Sequence, residues 1–415
     1  MTILLQNVKL NNQTTDILIS DNIFKKISPN QPTTADTVID CNNFAILPAF
    51  YNTHSHAPMS IFRGISDDKN LFDWLNNDIW PREAKLTPEM VYTATKFSIL
   101  EMIKTGTVFF SDMYFFSEAI LQAVSDMGIR AAVSFCSCDL FDKQKLQTEI
   151  KKTEQFLNTP NPAPELIKKV LSVHAIYTAS DDLFRYNAKL AEELNTNLHI
   201  HACETQKEVD DCISKYNHTP IQHLDYLGTL SDKTTLAHSV WLNDTDINIL
   251  ADKKTWLCTN PTSNLKLASG IFMLNKLLDK GCRITLGTDS MASNNSLSML
   301  SEMKICALLA KIAANDPTAG SAQTIFEIAT RNGAQAFGLN AGHITEGALA
   351  DCILVDLNNH LLAPEYNLIS NIVYAADSSC IDTVICNGKI LMQNHHIPGE
   401  EKIIEDIKKL SNFFR

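Results

Sequence analysis

Between residues 45 and 287 the chain alternates, eight times over, between a short apolar run and a longer stretch, and this regularity restricts the fold more than any other feature. The candidate strands are 45–50, 107–112, 130–135, 169–174, 197–201, 234–238, 255–258 and 283–287. Helical stretches with apolar residues at 3.6-type spacing lie between them, at 88–104, 118–127, 144–157, 181–194 and 272–280. Gly106, Gly128 and Gly281 each lead from a helical stretch straight into the next strand, where a left-handed helix-terminating residue is wanted. Eight strand–helix units in series predict an α/β fold, a closed (β/α)8 TIM barrel, and a span of roughly 300 residues fits one with insertions. A doubly wound open sheet shares the alternation. The placement of polar residues favours the barrel.

In such a barrel the reactive groups sit at the C-terminal ends of the strands. His54 and His56 close the first strand, His174 the fourth, His199 and His201 the fifth, His238 the sixth, and Asp289 the eighth. Strand alternation points His54 and His56 to one side, as two ligands of one metal ion require, and does the same for His199 and His201. Six histidines and an aspartate at the ends of five apolar strands do not match the turn formers that ordinarily end core strands. Imidazole nitrogens and a carboxylate oxygen suit Zn²⁺ or Fe²⁺, and a site without thiolates in close spacing reads as catalytic rather than structural. The remaining histidines, His218, His223, His343, His360, His395 and His396, are expected in solvent.

The ends of the chain read differently. Short strand-like pieces at 2–10, 16–19, 24–27 and 37–41 are separated by the turn formers Asn11-Asn12 and Asp21-Asn22. Similar material returns at 350–356 and 383–391, the latter folded at Asn387-Gly388, a strong two-residue hairpin signal. A small discontinuous β-sandwich domain from both termini is expected, comprising residues 1–46 and 346–415 around a barrel of 47–345.

Composition excludes several functions. The net charge of −12 opposes electrostatic binding of a nucleic-acid polymer or an anionic membrane, which leaves a small-molecule substrate. No apolar run approaches the ~18 residues that cross a bilayer, and the start of the chain lacks a signal peptide's basic and apolar regions. Eleven cysteines without regular spacing fit a reducing, cytoplasmic setting, with Cys136 and Cys138 as small strand fillers. Self-association into a homo-oligomer stays open.

The motifs Thr53-His54-Ser55-His56, Ile200-His201-Ala202-Cys203-Glu204-Thr205, Leu236-Ala237-His238, Pro261-Thr262-Ser263-Asn264-Leu265-Lys266-Leu267 and Leu286-Gly287-Thr288-Asp289-Ser290-Met291-Ala292-Ser293-Asn294-Asn295 resemble the amidohydrolase superfamily. Within it they most resemble the 5-methylthioadenosine/S-adenosylhomocysteine deaminases, over almost the whole chain. The resemblance implies that His54, His56, His201 and Asp289 hold one metal ion, that Glu83 binds ribose hydroxyls, and that His174 and Glu204 contact the substrate. It favours His201 over His199 as the ligand. No lysine closes the fourth strand, where related two-metal members carry a carboxylated one, so a single metal is expected.

The chemistry supports these assignments. Deamination of an aminopurine needs a nucleophile at C6, a proton on the neighbouring ring nitrogen and a proton for departing ammonia. A metal with an open position lowers the pKa of bound water to ~7. His238 is placed to orient or deprotonate that water, Asp289 to bind the metal and carry a proton, and Glu204 to protonate the ring nitrogen. The segment 63–80, with Phe72, Trp74 and Trp80, either lids the pocket and stacks on the purine or packs on the barrel rim.

One departure bears on the substrate. Relatives that accept S-adenosylhomocysteine are expected to carry an arginine near the end of the third strand, and here that position aligns with Phe135. An apolar ring packs a methylthio group and makes no fork to a carboxylate, which predicts a preference for 5-methylthioadenosine or another neutral adenosine. Lys143, Lys145 or Arg185 is the available replacement for the missing charge. Guanine, cytosine and hydroxypurine deaminases and chlorotriazine hydrolases use similar metal sites, but their substrates lack the diol that Glu83 would bind. A non-catalytic barrel that binds a partner is the alternative outside enzymes, and such a barrel would have lost ligands that this chain keeps.

Overall fold

The computed structural model describes residues 2–31 and 34–414. The N-terminal strands are β1 (Thr2–Leu10), β2 (Gln13–Ser20), β3 (Ile23–Ile27), β4 (Thr37–Asp40) and β5 (Phe44–Pro48). The barrel strands follow: β6 (Phe50–Ser55), β7 (Thr107–Tyr114), β8 (Arg130–Ser137), β9 (Ile167–Lys169), β10 (Leu171–Ala175), β11 (Leu198–Ala202), β12 (Thr234–His238), β13 (Trp256–Thr259) and β14 (Arg283–Leu286). The chain then returns to the first sheet with β15 (Cys352–Asp356), β16 (Ile381–Cys386) and β17 (Lys389–Met392).

The barrel sheet runs in parallel order β6-β7-β8-β10-β11-β12-β13-β14, with short β9 paired to β8. It closes on itself where Asp289 N–H donates to the His54 carbonyl at 3.1 Å and Ser55 bridges Asp289. All eight positions of β7 are buried, including Ser111 and Asp112, because the barrel interior covers one face and helices the other. Helix Ser117–Met127 ends at Gly128 with φ 72°, the left-handed terminator expected there. No helix of the described residues is long and apolar enough to cross a membrane.

The first expected strand, 45–50, divides between the two sheets. Phe44–Pro48 pairs antiparallel with β15, and the barrel strand starts at Phe50, whose N–H reaches the Gly106 carbonyl. Pro48 has no N–H to continue a ladder, so the chain changes sheets at Ala49. The terminal strands are hydrogen-bonded into one eight-stranded sheet around a small core that includes Ile3, Leu5, Phe24, Ile46 and Leu354. Asn387 and Gly388, at φ 52° and 70°, make the tight turn between β16 and β17.

A buried polar clamp joins this sheet to the barrel floor. Arg130 donates to Asp351 Oδ2 at 2.7 Å, to the Glu165 carbonyl at 2.8 Å and to Asn387 Oδ1 at 2.7 Å. Tyr51 Oη also donates to Asp351 Oδ2, at 2.7 Å, so the carboxylate and guanidinium are both satisfied. His223, expected in solvent, is instead buried, with its ring stacked on Tyr216 and Nε2 3.0 Å from Asp181.

Candidate active site

The C-terminal ends of the barrel strands surround a cavity of about 320 Å³. His56, His174, His201, Glu204, His238 and Asp289 line it, as do Trp80 and Glu83 from the segment after β6. That segment is a rim and a wall together. Leu71, Trp74, Leu75 and Ile79 face the cavity, while Phe72 packs edge-on against Tyr177. His54 lies beneath, fully buried.

Hydrogen bonds determine which ring nitrogens face the centre. His56 Nδ1 donates to the Met113 carbonyl at 2.6 Å and His201 Nδ1 to the His174 carbonyl at 2.7 Å. A carbonyl only accepts, so both Nε2 atoms carry lone pairs, and they lie 3.2 Å apart. Asp289 Oδ1 stands 3.5 Å from His54 Nε2 and 3.4 Å from His56 Nε2. His54 Nε2 is buried and has no hydrogen-bond partner.

These separations fit a metal ion. Four ligands at about 2.05 Å from a tetrahedral centre stand about 3.3 Å from one another. The donor atoms of His54, His56 and His201, and those of His54, His238 and Asp289, form groups within 4.8 Å. Burial pushes the histidine pKa values down, that of His54 to about 4 and those of His201 and His199 well below the ordinary value, which keeps the rings neutral as ligands must be. Burial alone would raise the Asp289 carboxyl, but His54, His56 and His238 hold it well below the usual range. Its other oxygen, Oδ2, accepts from Ser263 Oγ at 2.5 Å and Ser293 Oγ at 3.0 Å, so Oδ1 is left for the centre.

Glu204 and His238 face the centre from the next positions round the barrel. His238 Nδ1 donates to Asn264 Oδ1 at 2.8 Å, which turns Nε2 towards the cavity, 3.8 Å from Glu204 Oε2. Burial would lower the His238 pKa, yet the carboxylates of Glu204 and Asp289 raise it; burial raises that of Glu204. Cys203, His238 and Asp289 have φ of 55°, 72° and 59°. Non-glycine residues there cost about 1–3 kcal/mol each, and such strain gathers at functional sites. Glu208 holds the Cys203 kink with its carboxylate, which accepts the N–H groups of Cys203 at 2.9 Å and Glu204 at 2.8 Å. The Thr205-x-x-Glu208 spacing, a helix-capping pattern, was the available signal for it.

Phe135 does not join the site. Inward positions on β8 run through Ala132, Ser134 and Cys136, so Phe135 turns outward, where Lys152 lies 5.8 Å from its ring centre. The residues that face the cavity from this strand end are Cys136, Cys138 and Leu140. The two cysteines, expected as fillers, are cavity wall, and all eleven thiols of the chain are free. Among the described residues neither lysine nor arginine lines the cavity, so Lys143, Lys145 and Arg185 do not replace the missing charge there. Glu83 is half-buried beside the Tyr114 phenol, and burial pushes its carboxyl up to about 7.

A family model described as "Amidohydrolase family" matches residues 45–391. The chain belongs to the amidohydrolase family. This member is 43% identical over 396 residues to a 5'-deoxyadenosine deaminase of Methanosphaera stadtmanae, covering 94% of this chain and 93% of that one. It is 44% identical over 388 residues to 5-methylthioadenosine/S-adenosylhomocysteine deaminase 1 of Archaeoglobus fulgidus, covering 93% and 92%. Among solved structures, an adenosine deaminase from Xanthomonas campestris with bound zinc superposes with a TM-score of 0.89 at 29% identity, covering 98% of this chain and 97% of that one.

Proposed function

We propose that this amidohydrolase removes the 6-amino group of an adenosine whose 5' substituent is uncharged, releasing ammonia and the inosine analogue. The observation that carries this is the composition of one cavity. Three imidazoles and a carboxylate converge at its floor, Glu204 and His238 flank them, Glu83 and His174 stand on the wall, and among the described residues the remaining lining is largely apolar and holds no lysine or arginine. The relatives named as deaminases of 5'-deoxyadenosine and of 5-methylthioadenosine/S-adenosylhomocysteine support the reaction class, a hydrolysis at a C–N bond of a cyclic amidine.

His54, His56, His201 and Asp289 would hold one divalent ion, with Zn²⁺ suited to the three-nitrogen, one-oxygen set and Fe²⁺ as the alternative. When bound, such an ion supplies Lewis acidity that brings the pKa of water to about 7. The chain's own residues do the rest. His238 Nε2 orients the water that attacks C6 and takes its proton. Glu204, whose carboxyl is pushed up by burial, delivers a proton to N1 as C6 becomes tetrahedral, so the ring electrons have somewhere to go. The proton left on the new C6 hydroxyl passes through Asp289 to the amino nitrogen, the C6–N bond breaks to give ammonia and the carbonyl, and the proton held by His238 restores Glu204.

Glu83 accepts hydrogen bonds from the ribose hydroxyls, His174 contacts the base, and Trp80 at the rim covers the sugar. Leu140, Cys136 and Cys138 face the 5' position. A carboxylate there would lose its hydration with no guanidinium to replace it, whereas methylthio or methyl groups pack well. The eleven free thiols agree with a reducing, cytoplasmic location.

The test is the loss of adenine absorbance over 5'-deoxyadenosine, 5-methylthioadenosine, adenosine and S-adenosylhomocysteine, with guanine as a control. The expected outcome is a kcat/KM for the neutral 5' substituents about tenfold or more above that for S-adenosylhomocysteine, the scale of one lost charge-assisted contact. The opposite order overturns the 5' assignment, and turnover of guanine alone overturns the nucleoside assignment.

A further inference from the structure

His54 differs from the other two histidines at the cavity floor. The Nδ1 atoms of His56 and His201 each donate to a main-chain carbonyl, which cannot do anything but accept. His54 Nδ1 instead meets another imidazole, His199 Nε2, at 3.0 Å, and His199 Nδ1 meets Ser111 Oγ at 3.2 Å. All three side chains are buried, His199 at 2% exposure, so water does not take over either role.

Neighbours in this row must alternate as donor and acceptor, and two arrangements satisfy it. In one, Ser111 donates to His199, His199 donates from Nε2 to His54, and the His54 proton sits on Nε2, aimed at Asp289. In the other, His54 donates from Nδ1 to His199 Nε2, and His199 donates from Nδ1 to Ser111 Oγ. Only the second leaves a lone pair on His54 Nε2. A metal-ligating histidine has its tautomer set by the partner of its other nitrogen, and for His54 that partner is itself ambivalent.

We infer that His199 is a positioning residue for the metal, which sets the ligating tautomer of His54 by accepting its Nδ1 proton while anchored to Ser111. His199 sits two residues before His201 on the same face of β11, one layer deeper in the barrel, so it reaches His54 from below and touches no substrate. The inference rests on His54 being a ligand, which requires its own control.

The experiment measures zinc affinity of chelator-stripped, refilled protein by competition with a chromophoric chelator. His199→Leu, close in volume but unable to accept, is expected to weaken zinc binding by about tenfold to a hundredfold. His199→Gln, whose amide oxygen accepts, is expected to stay within about threefold of the natural protein. A Leu variant that binds zinc like the natural protein overturns the inference, and so do Leu and Gln variants that lose affinity equally. His54→Leu separates the two readings: if it keeps its affinity, the ligand assignment fails, whereas loss in His54→Leu alone refutes only the role of His199. If His199→Leu does not fold, nitrogen-15 NMR of the histidine rings in the unmodified holoprotein decides the matter. An Nδ1–H tautomer for His199 is expected, and an Nε2–H tautomer overturns the inference.

Discussion

The Nε2 atoms of His56 and His201 stand 3.2 Å apart with a lone pair on each, because both Nδ1 atoms are committed to main-chain carbonyls. No hydrogen bond links two acceptors. A cation between them converts the repulsion into two bonds. Stripping the protein with a chelator is therefore expected to abolish deamination and lower the melting temperature, with recovery on adding Zn²⁺. At a thousandfold excess of ligand over its dissociation constant the stabilisation is about 4 kcal/mol, readily seen by calorimetry. Full activity after verified metal removal contradicts the proposed reaction.

Glu204 approaches the centre without belonging to either group of candidate ligands, since its carboxylate lies between Ser269 and His238. Glu204→Gln is expected to keep its metal and lose about 10²–10⁴-fold in kcat, the size of a general acid–base contribution. Elemental analysis beside the absorbance assay checks both halves. Loss of metal in this variant would make Glu204 a ligand.

Glu83 gives the pH dependence its sign. Burial raises its carboxyl to about 7, so the group is ionised above that pH and protonated below it. In the proposed role the ionised form would accept from two ribose hydroxyls, and the protonated form would have one acceptor fewer. KM is expected to rise as pH falls from 8 to about 6, roughly tenfold per unit once below 7. Glu83→Gln should show a high KM that does not change over this range. An equally steep profile in that variant would assign the titration elsewhere.

The Arg130–Asp351 pair predicts a stability effect remote from the chemistry. Its side chains are 4% and 0% exposed, and the pair ties β8 of the barrel to the residue that precedes β15. Asp351→Ala leaves a buried guanidinium without its partner and is expected to cost about 3–5 kcal/mol in chemical denaturation. Replacing both residues with apolar ones of similar volume should recover much of the loss. A single variant within 1 kcal/mol of the natural protein would show that water enters the clamp.

Strand alternation alone brought His54 and His56 to one side, and the spacing of eight strand–helix units placed them at one end of a barrel with His174, His201, His238 and Asp289. These are local properties, because a two-residue side-chain period and a helix terminator act within a few residues. What depended on the third dimension was depth and facing. His199 and His201 share a face, and only the closure of the barrel, which brings β11 across the interior from β6, puts His201 at the cavity and His199 under His54. Phe135 aligns with a binding position by count, yet the register of β8 turns it outward and brings Cys136 in. Ser263 and Ser293 stood in the quoted motifs and Glu208 in a capping pattern, but none had a role there, since their hydroxyl and carboxyl groups acquire meaning only through the hydrogen bonds that meet them. The sequence thus determined which residue types gather at the strand ends. The tertiary structure decided which atom of each faces the centre, because that choice is made by partners far away in the chain.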